Sequence, residues 1–364
     1  MKLEELGWNS FFAEKYEEYK QKGLFAARVA REQKNLYRVL SENGEEQAIM
    51  SDQLFMNAFS SIELPAVGDW VLCHRKVGFE KVFIDRILPR QSKFSRKGKD
   101  SYGRNYQKDG SSDEQIISAN IDTVFLVISL DRDFNLRKIE RYLTLIWDSG
   151  SEPVIILNKA DQCEDPLWFA VQAESVALGI PVHIISALQK KGIEPLRSYL
   201  KAGKTVTFIG SSGAGKSSLI NVLTGEELQY VSYVREDDKR GRHTTTTREM
   251  ILTKGGGVLI DNPGMRDIKL SVSETTLDRT FSDIVELEKQ CRFRNCRHES
   301  EPGCAIKQAI EAGKLDIERF ESYIKLQREV KFQEKRNKQR QKFIDNARSQ
   351  QRVQGIKIKK HRNK

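Results

Sequence analysis

The sequence predicts three modules in series: a small β-barrel, an α/β domain built on a parallel sheet, and a small, mainly helical domain around a Cys/His cluster. Three observations predict it. Short β-like runs alternate with turns from Leu24 to about Arg90; buried strands alternate with helical repeats from Ile121; and helix-period segments flank three cysteines and a histidine within fourteen residues after Ser273. A chain of 364 residues is long enough for two or three domains, each with its own core.

The first twenty residues, MKLEELGWNSFFAEKYEEYK, are charged and amphipathic and predict a helix over 1–20, with Leu3, Leu6, Phe11 and Phe12 docking on a neighbour. They lack an apolar signal core, and no later run approaches the ~18 apolar residues of a membrane span, so a cytoplasmic protein is expected. Residues 21–95 form the barrel. LFAARVAR, LYRVLSENGEEQAIM, VGDWVLCHR and KVFIDRILPR supply four or five short strands, and Asn43-Gly44 marks a hairpin. The commonest such barrel that binds nucleic acid is the OB-fold.

Residues 96–115 are expected to be a linker, because Gln91 to Asp113 is polar, basic and rich in Gly and Ser. The α/β domain follows over 116–272. Its strands are Ile121 to Ser129, Pro153 to Leu157, Pro181 to Ile185, Thr205 to Ile209 and Val258 to Ile260. Helices are expected from Leu136 to Gly150, Pro166 to Leu178 and Ile193 to Leu200. Such alternation implies a parallel sheet whose ligands sit at the carboxyl ends of its strands.

The chemistry concentrates at those ends. Gly210-Ser211-Ser212-Gly213-Ala214-Gly215-Lys216-Ser217, followed by Ser218, has the form G-x-x-x-x-G-K-[ST] between a strand and a helix. Its backbone N–H groups suit a β-phosphate, Lys216 the β/γ oxygens and the Ser217 hydroxyl a Mg²⁺ ion. Asn158-Lys159-Ala160-Asp161 also follows a strand. A carboxylate there accepts from N1–H and the exocyclic amine of guanine, a donor pair that adenine lacks, and a backbone amide at Ser186-Ala187 suits guanine O6. GTP is the expected ligand.

Asp261-Asn262-Pro263-Gly264 has the form D-x-x-G, which places a carboxylate near Mg²⁺ through water and the Gly264 amide near the γ-phosphate. In Gly241-Arg242-His243-Thr244-Thr245-Thr246-Thr247 one threonine is expected to complete the Mg²⁺ shell. After D-x-x-G stands Met265, where a glutamine usually orients the attacking water. His243 is the candidate for that task, with Arg242 as an alternative that neutralises charge.

Ser273 to Gln290 reads as a helix leading into Cys291, Cys296, His298 and Cys304. Three thiolates and an imidazole at this spacing suit one structural Zn²⁺ better than an Fe–S cluster. The remaining cysteines, Cys73 and Cys163, read as ordinary buried thiols. The zinc-binding helical domain spans 273–330, and its second amphipathic helix, from Asp316, is expected to turn Ile317, Phe320, Ile324 and Gln327 or Val330 inward. Residues 331–364 are a basic tail. Arg328 to Lys364 holds fourteen Lys and Arg against Glu329, Glu334 and Asp345, enough by itself to account for the net charge of +10. A cationic tail on a balanced body suits RNA.

The base-reading motif precedes the phosphate loop and both switch motifs follow it, the reverse of the usual order. With GRHTTT, D-x-P-G and the Cys/His cluster, this arrangement over about residues 24 to 325 resembles the circularly permuted ribosome small-subunit-dependent GTPase A family. The resemblance implies an OB-like β-barrel, an α/β P-loop GTPase with circularly permuted motif order, and a zinc domain. It also implies GTP hydrolysis in late maturation of the 30S subunit. The expected partners are the 30S subunit with its 16S rRNA and GTP or GDP, with no membrane and a monomeric chain. The alternative is an RNA-binding or remodelling factor in which GTP is a structural or switch ligand without significant turnover.

Overall fold

The computed structural model describes residues 1–20, 22–33, 36–58, 60–97, 114–130, 134–225, 248–262, 273–332, 334–335 and 338–339. The chain divides into two compact units, Met1–Lys269 and Leu270–Lys364.

The first unit opens with a 3-10 turn (Leu3–Leu6), ended by Gly7 at φ +90°, and helix α1 (Ser10–Lys20). Leu3, Leu6 and Phe12 are buried as expected. Trp8 and Phe12 pack on Trp70 of the barrel, with ring centroids 4.7 and 5.8 Å apart.

Five strands close the barrel: β1 (Phe25–Gln33), β2 (Leu36–Ser41), β3 (Gly44–Met50), β4 (Trp70–His74) and β5 (Val82–Ile87). Helix α2 (Asp52–Asn57) lies between β3 and β4, capped by the Ser51 hydroxyl. The order around the barrel is β1-β2-β3-β5-β4 and back to β1, with β3 and β5 parallel. Alternation on β2 sends Tyr37 and Val39 inward, where they meet Val29, Ala48, Val71, Cys73 and Ile84. The hairpin expected at Asn43-Gly44 is present: Ser41 pairs with Gly44, whose φ of +102° a side chain rarely adopts. Cys73 is buried, and burial pushes its thiol well above the ordinary range; Cys163, against expectation, is partly exposed.

The stretch read as a linker is paired at both ends. Strands β6 (Lys93–Lys97) and β7 (Glu114–Ala119) form an antiparallel two-stranded sheet. Three apolar side chains in otherwise polar sequence, Phe94, Ile116 and Ile117, are buried and hold it.

The α/β part comprises β8 (Thr123–Ser129), α3 (Leu136–Ser149), β9 (Glu152–Asn158), α4 (Pro166–Val176), β10 (Val182–Ile184), β11 (Thr205–Ile209), α5 (Lys216–Thr224), β12 (Glu249–Leu252) and β13 (Val258–Asp261). Its strand order is β10-β9-β8-β11-β13-β12, parallel except for β12. Phe125, Val154, Ile156, Leu196, Val206, Phe208, Leu219 and Leu223 share one apolar core. The helix expected from Ile193 is a 3-10 segment (Glu194–Tyr199) begun by Pro195. It ends at Tyr199, one residue before the expected end, and Gly203 at φ +76° lies between it and β11.

Two features join barrel and α/β part that no motif announces. Strand β12 pairs with β1 through Arg31 and Glu249, so one sheet runs from the α/β part into the barrel. Beside that seam lies Arg28, fully buried. Its guanidinium donates to the carbonyls of Gly68 (3.1 Å), Asn120 (2.8 Å) and Leu6, and to Thr205 Oγ1 (2.9 Å). It also faces the Trp70 ring at 5.7 Å. Burial lowers its pKa to about 10, opposed by Asp122 and Asp69, so it stays charged at neutral pH. Arg28→Met orphans three carbonyls and is expected to destabilise the first unit by about 3–5 kcal/mol, read as a lower denaturation midpoint.

In the second unit, the helix expected over Ser273 to Gln290 is two: α6 (Glu274–Thr280), capped by Ser273, and α7 (Ser282–Glu288). The break is Phe281, which leaves helical geometry at ψ 40° to bury its ring against Tyr323. After the Cys/His loop come α8 (Ala305–Glu311) and α9, residues 317–332. The inward face of α9 is only partly the expected one: Val330 is buried as expected, while Phe320 and Ile324 are half-buried. Arg319, Tyr323, Leu326 and Val330 are buried, while Ile317 is 54 % exposed. Arg319 goes inward because Asp283 accepts from its Nε (2.9 Å) and Nη2 (2.8 Å) and Phe281 covers its guanidinium. The basic tail beyond 339 lies outside the described residues.

Candidate nucleotide site and metal centre

Every described residue of the expected nucleotide site sits at or just beyond the carboxyl end of a parallel strand. Gly210 to Ser218 follow β11, Asn158 ends β9 with Lys159 to Asp161 just beyond it, Ser186 and Ala187 follow β10, and Asp261 ends β13. This follows from the doubly wound topology, in which the crevice opens at that edge.

The phosphate loop is shaped by two glycines that no other residue replaces. A Cβ on Gly210 (φ +141°) would stand 2.1 Å from the Val127 carbonyl oxygen, and one on Gly215 (φ +92°) 2.2 Å from Asn158 Nδ2. Gly215 also starts α5, so the loop amides and the first turn of that helix face the same space. Lys216 Nζ donates to the carbonyls of Gly210 (2.8 Å) and Ser211 (2.5 Å), within the loop itself. Ser217 and Ser218 are exposed at the start of α5. Asp261 has its pKa raised, chiefly by burial, against the opposing charge of Lys216.

The residues expected to read the base are braced against this loop. Asn158 is buried; its Nδ2 donates to the Ala214 carbonyl (2.9 Å) and its Oδ1 accepts from the Ala187 amide (3.0 Å). One side chain thus ties the phosphate loop to the Ser186-Ala187 turn. Lys159 adopts a left-handed conformation at φ +66°, uncommon without glycine, which turns the chain into the 3-10 segment carrying Asp161. Asp161 Oδ1 accepts from Ser186 Oγ at 2.5 Å, and the Ala160 amide donates to the Ile185 carbonyl. Ser186 therefore orients the carboxylate assigned to guanine.

Two further residues belong to the site that motif reading passes over. Lys138, in the first turn of α3, donates to Ser211 Oγ at 2.5 Å and brings a second ammonium to the loop's rim. Asn262, the second residue of D-x-x-G, is buried and donates to Ser118 Oγ (3.0 Å) and Thr207 Oγ1 (2.9 Å), fixing the end of β13 to β7 and β11. The only sequence signal for Lys138 is its place three residues after the Asn135 cap. Arg242, His243, Thr244 to Thr247, Gly264 and Met265 lie outside the described residues.

In the second unit, Cys291, Cys296, His298 and Cys304 bring four ligand atoms within 4.8 Å of one another. His298 Nδ1 is 3.4 Å from Cys304 Sγ and 3.7 Å from Cys291 Sγ. A tetrahedron with Zn–S and Zn–N bonds near 2.3 and 2.0 Å separates its ligand atoms by about 3.5–3.8 Å, so the set fits one zinc ion. His298 takes φ +64° to reach it. The other ring nitrogen is 3.2 Å from Glu288 Oε1, and Tyr323 donates its hydroxyl to Glu288 Oε2 (3.2 Å). That carboxylate fixes the imidazole tautomer that presents Nδ1 to a metal.

Comparison with known proteins agrees with this geometry. A family model described as RsgA GTPase matches residues 87–271. One for ABC transporters matches 193–357, less than half of the chain, a span that includes the phosphate loop. The small ribosomal subunit biogenesis GTPase RsgA 1 of Listeria innocua is 43 % identical over 93 % of this chain and 92 % of its own length. RsgA of Methanosarcina acetivorans is 40 % identical over 98 % and 92 %. The crystal structure of YjeQ from Thermotoga maritima superposes with a TM-score of 0.62 at 26 % identity, covering 84 % of this chain and 98 % of that one. That of YloQ, described as a circularly permuted GTPase, gives 0.60 at 23 % identity over 85 % and 95 %, a likeness of fold. Barrel topology, the order of the nucleotide motifs and matches spanning nine-tenths of the sequence all agree: the chain belongs to the RsgA GTPase family.

Proposed function

We infer that the chain binds GTP at the crevice above β9, β11 and β13 and hydrolyses it in biogenesis of the small ribosomal subunit, the role its relatives' names carry. The observation that supports this best is the brace made by Asn158, which presents a guanine-selective carboxylate and a phosphate loop as one rigid unit. In this reading the barrel (21–95), the zinc domain (273–330) and the basic tail (331–364) engage the 30S subunit and its 16S rRNA, and residues 116–272 form the GTPase. The chain acts as a monomer in the cytoplasm.

The Gly210–Ser218 amides and Lys216 bind the phosphates, and Ser217 and Asp261 hold Mg²⁺, which supplies charge neutralisation at the γ-phosphate. Met265 cannot position water, so intrinsic turnover is slow, and contact with the subunit brings His243 to the γ-phosphate. Turnover measured with and without purified 30S and 50S subunits tests the function: stimulation by 30S alone is expected, and no multiple turnover at saturating 30S would leave GTP a structural ligand. His243→Ala is expected to remove most of that stimulation while GTP binding persists; unchanged stimulated turnover would reassign the water-positioning group.

Base selection has its own test. Xanthine carries a carbonyl where guanine carries the exocyclic amine, so Asp161→Asn exchanges one acceptor for a donor where it is needed. The variant is expected to lose about 10–100-fold in GTP affinity and to gain affinity for xanthosine triphosphate, read by competition binding.

A further inference from the structure

Helix α4 is apolar on two faces. Ala173, Val176 and Ala177 are buried within the first unit. On the other side Leu167, Trp168 and Val171, with Leu178 just past the helix, are 70, 53, 60 and 59 % exposed. Positions 167, 168 and 171 fall on one face of α4 at helical spacing and form a stripe, with Leu178 beyond the helix end at Val176 and the exposed Glu174 between Val171 and Leu178. Its base is fixed: Trp168 meets Phe169 edge-on at 5.0 Å, and Phe169 meets Phe134 at 4.8 Å. A surface helix ordinarily turns polar residues outward, and exposed apolar side chains grouped around a tryptophan are the signature of an interface.

Charge selects the occupant. In a chain of net charge +10 there is no Lys or Arg from Ala160 to Gln189, while Asp161, Glu164, Asp165 and Glu174 fall there. Glu164, Asp165 and Glu174 are exposed around the stripe. This rim repels a phosphate backbone and complements a polypeptide that sets apolar side chains among Lys and Arg.

We propose that the Leu167–Trp168–Val171 stripe, with Leu178 beyond it, is a docking site for a basic segment of a small-subunit protein. The proposal rests on the reading that the chain works on that subunit, and it gives the α/β domain a protein contact where the tail and barrel take RNA. The site bears on nucleotide binding. Asp165 accepts from the Trp168 amide (3.0 Å) to start α4, only four residues after Asp161, so a partner seated on Trp168 holds the loop that reads the base. Docking and guanine-nucleotide affinity are therefore coupled, each altering the other by the same factor.

The test uses the full chain with photoreactive benzoylphenylalanine in place of Trp168, and in a control in place of the fully exposed Val77 of the barrel. Each is irradiated with intact 30S subunits and, separately, with RNA-free total protein extracted from those subunits. The expected result is the same cross-linked small-subunit protein from position 168 in both arms, through a Lys/Arg-rich peptide identified by mass spectrometry and absent from the Val77 control. Val171→Glu is expected to weaken binding to that purified protein by about tenfold, with GTP hydrolysis in the absence of subunits unchanged. Cross-links to rRNA, to residues 328–364 of the chain itself, to nothing, or to the same proteins as the control would overturn the proposal. Failure of the unmodified chain to bind 30S would instead remove the functional reading, and the RNA-free arm would still decide the docking site.

Discussion

Lys216→Ala is expected to lower 30S-stimulated GTP turnover by about 10²–10³-fold, the loss typical of removing one preorganised donor from a developing oxyanion. The chain should fold normally. Lys216 donates to the carbonyls of Gly210 and Ser211, both in its own loop, and these hydrogen bonds tie no other element to the core. Lys138 does not replace it, because its ammonium is held at Ser211 Oγ on the rim. Lys216→Arg should rescue little, since a planar fork does not fit where two carbonyls converge on one point charge. Single-turnover hydrolysis with saturating subunits checks the result. A variant with wild-type turnover would show that the cation stabilising the transferred phosphoryl group comes from elsewhere.

The placement of the expected nucleotide site was legible in the sequence because residue types that suit phosphate and guanine stand at strand ends set by apolar periodicity. Gly210 and Gly215 illustrate this, since each meets another backbone or side-chain atom where a Cβ would stand. What stayed hidden depends on contacts distant in sequence. Asn158 reads as part of a base-recognition motif, and only the fold shows its amide bracing Ala214 and Ala187. Arg28 lies in a strand whose pattern marks a charged residue as outward, yet three oxygens from 40 or more positions away, and a fourth from Leu6, converge on it. The same failure rotated part of the inward face of α9: Arg319 counts as polar until Asp283 is known to face it. The ladder between β6 and β7 was missed because Phe94 stands alone among polar residues and its partners lie beyond a long insertion. Periodicity finds elements that bury a stripe; it does not find polar groups buried by convergence.

Cys304→Ser is expected to unfold the Cys/His loop and loosen the helices around it, leaving the first unit intact. Between Cys291 and Cys304 the loop's backbone bonds are sparse: Arg292 donates to the Gly303 carbonyl and Cys296 to that of Phe293. Glu301 adds a knot, accepting from the amides of Arg297, Glu299 and Ser300, which holds its carboxyl down at about 2. Such a loop does not stay closed without a tetrahedral ion, and apparent zinc binding energies of about 10–16 kcal/mol match or exceed the whole stability of a small domain. Cys304 matters most because it also begins α8, so its loss frees both the loop's end and the helix that buries Ile306 and Ala309. The disturbance should pass through Glu288 to Tyr323 on α9. Hydrogen exchange should then report rapid labelling across 291–332 with unchanged protection of β8 to β11, alongside loss of bound zinc. Intrinsic GTP hydrolysis should persist while binding to 30S subunits falls. Retained protection at 291–304 in the zinc-depleted variant would mean that the loop folds through its own hydrogen bonds and that the metal's task is not structural.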